Sequence, residues 1–119
     1  MGDLVELKKN KLFTLKEARE LLPIVKKITK EAADHIEKLK ERVENFDPEP
    51  AHRIIYEEEA TTVFNRWAQK IAKLGCEAKG LWLVDFDNGE GYFCWHYPEE
   101  ELEYFHTYEG TFAGRTPIL

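Results

Sequence analysis

The chain contains no serine, one glutamine, one methionine and two cysteines, Cys76 and Cys94. The missing serine removes every serine nucleophile, the Gly-x-Ser-x-Gly elbow included. Two cysteines are too few for a disulfide scaffold and suit a reduced, cytoplasmic protein, with a single bridge between them left open. No apolar run approaches the roughly 18–20 residues that span a bilayer. The opening Met1-Gly2-Asp3-Leu4-Val5-Glu6 lacks the basic and apolar segments of a secretory signal. Neither a Walker loop nor a Gly-x-Gly-x-x-Gly fingerprint occurs, and Gly89-Glu90-Gly91 is short enough to be a turn.

What is present is charge and aromatic side chain. A chain of 119 residues with 43% hydrophobic and 34% charged residues is one charge-rich domain that can bury its own core. The charge is uneven. Residues 1–45 carry 11 basic and 9 acidic side chains, whereas residues 76–119 carry 2 and 9. An acidic C-terminal third repels phosphate backbones, which disfavours generic nucleic-acid binding. The same asymmetry lets the acidic part of one subunit meet the basic helix of another.

Phe13-Thr14-Leu15-Lys16-Glu17 reads as a helix start in which Thr14 and Glu17 form a capping box. Apolar residues recur at steps of three and four from Ala18 to Phe46, interrupted by Pro23, which predicts a kink or a short first helix. Asp47-Pro48-Glu49-Pro50 ends this run. A second amphipathic run, through Tyr56, Val63, Trp67, Ile71 and Leu74, stops at Gly75 as a C′ residue. Two long helices on a short loop pack antiparallel and leave each apolar stripe half covered.

Ten of the fifteen aromatic residues fall in residues 80–119. Stretches 81–86 and 92–97 read as strands flanking the turn-rich 87–91, and 102–106 reads as a third short strand. Alternation puts Tyr92, Cys94 and His96 on one face and Phe93, Trp95 and Tyr97 on the other. The expected fold is α+β: a helical hairpin over residues 14–75 packed on a small antiparallel sheet within residues 80–119, completed by dimerisation.

The same C-terminal region holds the chemistry. Cys94, Glu99 and His106 offer thiolate, carboxylate and imidazole donors, a set that binds zinc, iron or another divalent transition metal, although the spacing fits no short metal motif. A half-buried cysteine beside hydrogen-bonded histidines is the plainer account of the same residues. Asp85 sits inside an apolar strand, where a carboxylate needs a partner; Arg115 is the expected one, as a structural ion pair that anchors the tail. Gly114, through close backbone approach or positive φ, aims Arg115 at a carboxylate, either Asp85 or Glu99, or at an external anion, and an unpaired Asp85 beside His106 is alternatively an acid–base pair. Glu100, Glu101 and Glu103 read as a solvated face, and His35 as a satisfied residue of the helical seam.

Two stretches resemble the prokaryotic family known as domain of unknown function 2203. Phe13 to Ala18 with Leu21-Leu22-Pro23 is similar to its opening motif. Residues 80–86, Cys94-Trp95, Glu99 with His106, Glu109-Gly110, Phe112-Ala113-Gly114-Arg115 and Pro117 are similar to its closing motifs. Pro98 and Phe105 depart from the pattern, which has Gly and Trp there. The resemblance implies that Asp85, Cys94, Glu99, His106, Gly114 and Arg115 belong to the family pattern, and that Leu22-Pro23 is a designed break. It brings no reaction, substrate or cofactor. On the residues alone, the expected function is a dimeric interaction or regulatory module, with a metal-binding protein or small enzyme around Glu99, His106 and Arg115 as the alternative.

Overall fold

The computed structural model describes residues 11–46 and 49–119; Asp47 and Pro48, expected to end the first helix, lie outside the described residues, as does the opening segment 1–10. Helix α1 spans Leu15–Asn45 and α2 spans Pro50–Lys73, packed against each other as a hairpin. Five strands follow: β1 (Glu77–Gly80), β2 (Leu83–Asp87), β3 (Gly91–His96), β4 (Tyr104–Thr107) and β5 (Thr116–Pro117). They form one antiparallel sheet in chain order. The α+β architecture is as expected, with two strands, β1 and β5, beyond those legible in the sequence.

Local chemistry sets the helix ends. Thr14 Oγ1 accepts from the Glu17 N–H at 3.1 Å, and Glu17 Oε1 accepts from the Thr14 N–H at 2.9 Å, the expected capping box. At the other end of the hairpin, Gly75 takes φ +91, the Gly75 N–H donates to Ala72 and the Cys76 N–H to Ile71. That is a Schellman stop, and only glycine takes its left-handed position cheaply. Pro23 does not break α1, which runs through it. Leu22 and Val25, buried on either side, hold the helix on its course although proline removes one backbone bond.

The sheet has two unlike faces. Val84 and Phe86 on β2 and Trp95 on β3 join Ala18, Leu22, Val25, Trp67 and Ile71 in the apolar core between sheet and helices. Residues of opposite parity point away from the helices: Asp85, Cys94, Tyr92 and His106. Within this core the Trp67 indole N–H donates to Thr29 Oγ1 at 2.8 Å and its ring meets Trp82 edge-on at 4.9 Å. Gly91 is required where β3 meets β4, because a Cβ there would lie 2.5 Å from the His106 carbonyl oxygen.

Burial fades toward the far end of the hairpin. Beyond Thr29 only Leu39 of α1 is buried, and α2 buries nothing before Val63. Phe46, Ile54 and Ile55 stand exposed there. His35 is half exposed, 3.9 Å from Glu59, and not satisfied inside the seam. Among the described residues no helix is long and apolar enough to cross a membrane.

Candidate functional site

The face of the sheet turned away from the helices carries the chemistry. In the β2–β3 register Asp85 lies directly opposite Cys94. On β4, His106 pairs with Tyr92 and so sits diagonally across from Cys94. One donor atom from each of Asp85, Cys94 and His106 falls within 4.8 Å of the others, the one such buried group among the described residues. The three are 1%, 0% and 5% exposed.

His106 is oriented by what its two nitrogens face. Nδ1 lies 2.8 Å from the Thr107 carbonyl oxygen. A carbonyl only accepts, so Nδ1 carries a proton and donates it. Nε2 therefore points at Asp85 Oδ2, 3.0 Å away, across a position that must hold a proton or another cation. The second carboxylate oxygen, Asp85 Oδ1, is buried and meets no donor at hydrogen-bond geometry. An orphaned buried oxygen beside a directed imidazole nitrogen is an arrangement that could hold a metal ion.

Burial raises the Asp85 carboxyl above its usual range; the charge of His106, the Cys94 thiol, the His106 hydrogen bond and Lys79 offset part of that rise. Burial likewise pushes the Cys94 thiol up to about 12, and the Asp85 carboxylate adds to this while Arg115 opposes it. Without a cation this favours the protonated Cys94 thiol, the less nucleophilic form. Cys76 is also unpaired, but lies in the helix-facing core, so the two cysteines sit on opposite sides of the sheet.

Glu99 and Arg115 are brought to the edge of this cluster but bond each other. Arg115 Nη1 donates to Glu99 Oε1 at 2.9 Å, and Nη2 donates to Oε2, a bidentate pair. Glu99 Oε1 also accepts from the His96 N–H at 2.9 Å. Burial works against the Glu99 charge, yet the Arg115 bonds and the His96 N–H together hold its carboxyl below the usual range. The Arg115 guanidinium is stacked between the Tyr104 ring, 4.0 Å away, and the Phe112 ring, 4.2 Å away.

Two expectations change accordingly. Arg115 pairs with Glu99 and not with Asp85, because the tail returns along β4 and its guanidinium is caught by the 96–99 turn. Among the expected metal donors, Cys94 and His106 come together, while Glu99 is consumed by Arg115 and Asp85 takes its place. Gly114 does not adopt positive φ, and a Cβ added there would meet no atom within 4 Å, so it does not aim Arg115 by close approach. Tyr104, Phe112 and the Thr107 carbonyl were not legible as site groups. Their roles depend on cross-strand register and on the fold of the tail.

A family model described as an uncharacterized conserved protein matches residues 11–118 of the chain. No curated protein and no solved structure matches it.

Proposed function

The chain belongs to the DUF2203 family, and from that premise and its own geometry we propose that it is a metal-binding protein whose ligands are Asp85, Cys94 and His106. The observation that carries this is His106 Nε2 facing Asp85 Oδ2 at 3.0 Å while Oδ1 stays buried without a partner. A thiolate, an imidazole and a carboxylate suit zinc or ferrous iron better than magnesium or calcium, which take all-oxygen sets. Three protein ligands also leave a coordination position open, the count found in catalytic rather than structural zinc sites. When bound there, such a metal acidifies a water and polarises an oxygen of a reactant. The protein's own contributions are to fix the imidazole through Thr107, to exclude water and to place Arg115 beside Cys94. Two unpaired cysteines support a reducing, cytoplasmic setting, where Cys94 stays available as a ligand.

The first test is elemental analysis of protein purified without a chelator or a histidine tag, followed by cobalt(II) titration. Near-stoichiometric zinc or iron is expected, with a thiolate-to-cobalt absorption band that Cys94→Ser abolishes. Protein that carries no metal and takes up neither cobalt nor zinc at micromolar concentration overturns the proposal.

A second reading, self-association, is favoured by the exposed Phe46, Ile54 and Ile55 at the far end of the hairpin. A second copy would cover the apolar stripes that two helices leave open and bring basic α1 toward an acidic C-terminal third. Light scattering at micromolar concentration is then expected to give a dimer that Ile54→Glu with Ile55→Glu converts to monomer and that salt weakens. A monodisperse wild-type monomer rules this out.

A further inference from the structure

A three-ligand site with an open position is of no use if nothing can reach it, and the Asp85–Cys94–His106 cluster is closed to solvent. Behind it stand the sheet and the helix-facing core. In front lies the segment between β4 and β5. Tyr108 meets Tyr92 edge-on at 5.2 Å and donates to Asp87 Oδ1 at 2.7 Å. Phe112 lies against His96 at 5.1 Å, and Arg115 stacks on Tyr104. All four residues touched, Tyr92, Asp87, His96 and Tyr104, belong to the same face as the cluster.

Among the described residues the backbone bonds of this segment are local. Gly110 donates to Thr107, Gly114 to Thr111 and Arg115 to Phe112, all within a few residues. Bonds to the sheet resume with β5 and the Ile118 N–H on Glu103. Residues 111–114 are exposed. A loop hinged at two strands and held down by side chains is the kind of element that opens locally while the rest stays folded. Its strongest tie is the bidentate Arg115–Glu99 pair, since two parallel charge-assisted bonds outweigh the single Tyr108 hydroxyl bond.

We propose that residues 108–115 are a gate over the Asp85–Cys94–His106 cluster, latched by Arg115 on Glu99, and that metal and any reactant enter when the latch releases. The passage of metal rests on the metal-binding proposal; the opening motion does not. Glu99 and Arg115 then act as positioning residues that control access without ligating anything.

The opening is read on metal-free protein by iodoacetamide labelling of both cysteines, resolved by mass spectrometry. Cys76 reports global unfolding because it is buried in the core between sheet and helices, and Cys94 reports the gate. Cys94 is expected to label faster than Cys76 in the wild type. Glu99→Gln, which keeps an acceptor for the His96 N–H but removes the charge, is expected to speed Cys94 about tenfold and leave Cys76 unchanged. In cobalt-loaded protein the same variant should lose metal to a chelator correspondingly faster with its absorption band unmoved. Equal labelling of the two thiols in the wild type overturns the gate, as does a Glu99→Gln variant whose Cys94 rate is unchanged. A shifted cobalt band would instead make Glu99 part of the metal site and overturn the latch. A chain that binds no metal removes the metal-binding proposal and leaves the thiol comparison decisive for the gate.

Discussion

Metal-free His106→Ala is expected to unfold more easily by about 3 kcal/mol at pH 8, the cost of leaving the buried Asp85 carboxyl without the imidazole that meets its Oδ2. Asp85 is 1% exposed, its Oδ2 bonds to His106 Nε2 and its Oδ1 has no hydrogen-bond partner, so the Cys94 thiol and Lys79 offset only part of the loss. The loss should depend on pH in a definite direction. The folded-state carboxyl of Asp85 is already raised by burial, and removing the His106 charge raises it further. A carboxyl with a raised folded value binds more protons folded than unfolded. Its stabilising effect is therefore complete below the unfolded value of about 3.9 and is lost as pH rises through the folded value. The variant should thus recover toward wild type as the solution is acidified from pH 8 to pH 5, which urea denaturation at both values measures. Asp85→Asn in the same background should return a large part of the stability at pH 8, because it removes the stranded charge. The double variant is expected to bind no cobalt, which separates stability from ligation. A pH-independent loss, or no recovery with Asp85→Asn, would mean that the pair is not buried and coupled as described.

The cluster was partly legible before the fold was known. The observed β2–β3 register sets Asp85 opposite Cys94, which the turn residues did not disclose, because a two-residue turn on Asn88-Gly89 would set Asp85 opposite Tyr92. Strand alternation then puts both on one face with Tyr92. His106 was visible as a donor type but not as a neighbour, since the β3–β4 connection carries a Tyr97-Pro98 bond and a loop of glutamates that sets no register by itself. The choice between Asp85 and Glu99 as the partner of Arg115 stayed open for the same reason. Sequence shows that a buried carboxylate needs a cation, while only the path of the tail decides which cation arrives. Strand β1, Glu-Ala-Lys-Gly, lacks β-forming residues and exists because β2 offers it an edge, and the two-residue β5 exists because β4 does. Capping and stop signals at Thr14, Glu17 and Gly75 needed no tertiary context and were legible in full.

The gate and the site both presuppose that the sheet is held against the hairpin, and Trp67 is a large buried contributor to that attachment. Its ring is 2% exposed, is wedged between Phe64 and Trp82, and donates its N–H to Thr29, which is itself fully buried. Trp82 occupies the β1–β2 turn at φ +60, a conformation that costs a bulky residue on the order of 1–3 kcal/mol unless packing enforces it. Trp67→Ala therefore removes one of the two buried core tryptophans and the surface against which Trp82 packs. A loss of about 3–5 kcal/mol is expected, a large share of the roughly 5–15 kcal/mol that stabilises a domain. Thr29→Val keeps the packing and strands only the indole N–H, so about 1–3 kcal/mol should be lost. If urea denaturation gives less than about 1 kcal/mol for Trp67→Ala, hairpin and sheet are held together elsewhere. If the loss is as large as expected, Cys76 and Cys94 should both label faster in this variant. That pattern is opposite to the one expected from Glu99→Gln, because losing Trp67 opens the core while releasing the latch opens only the outer face.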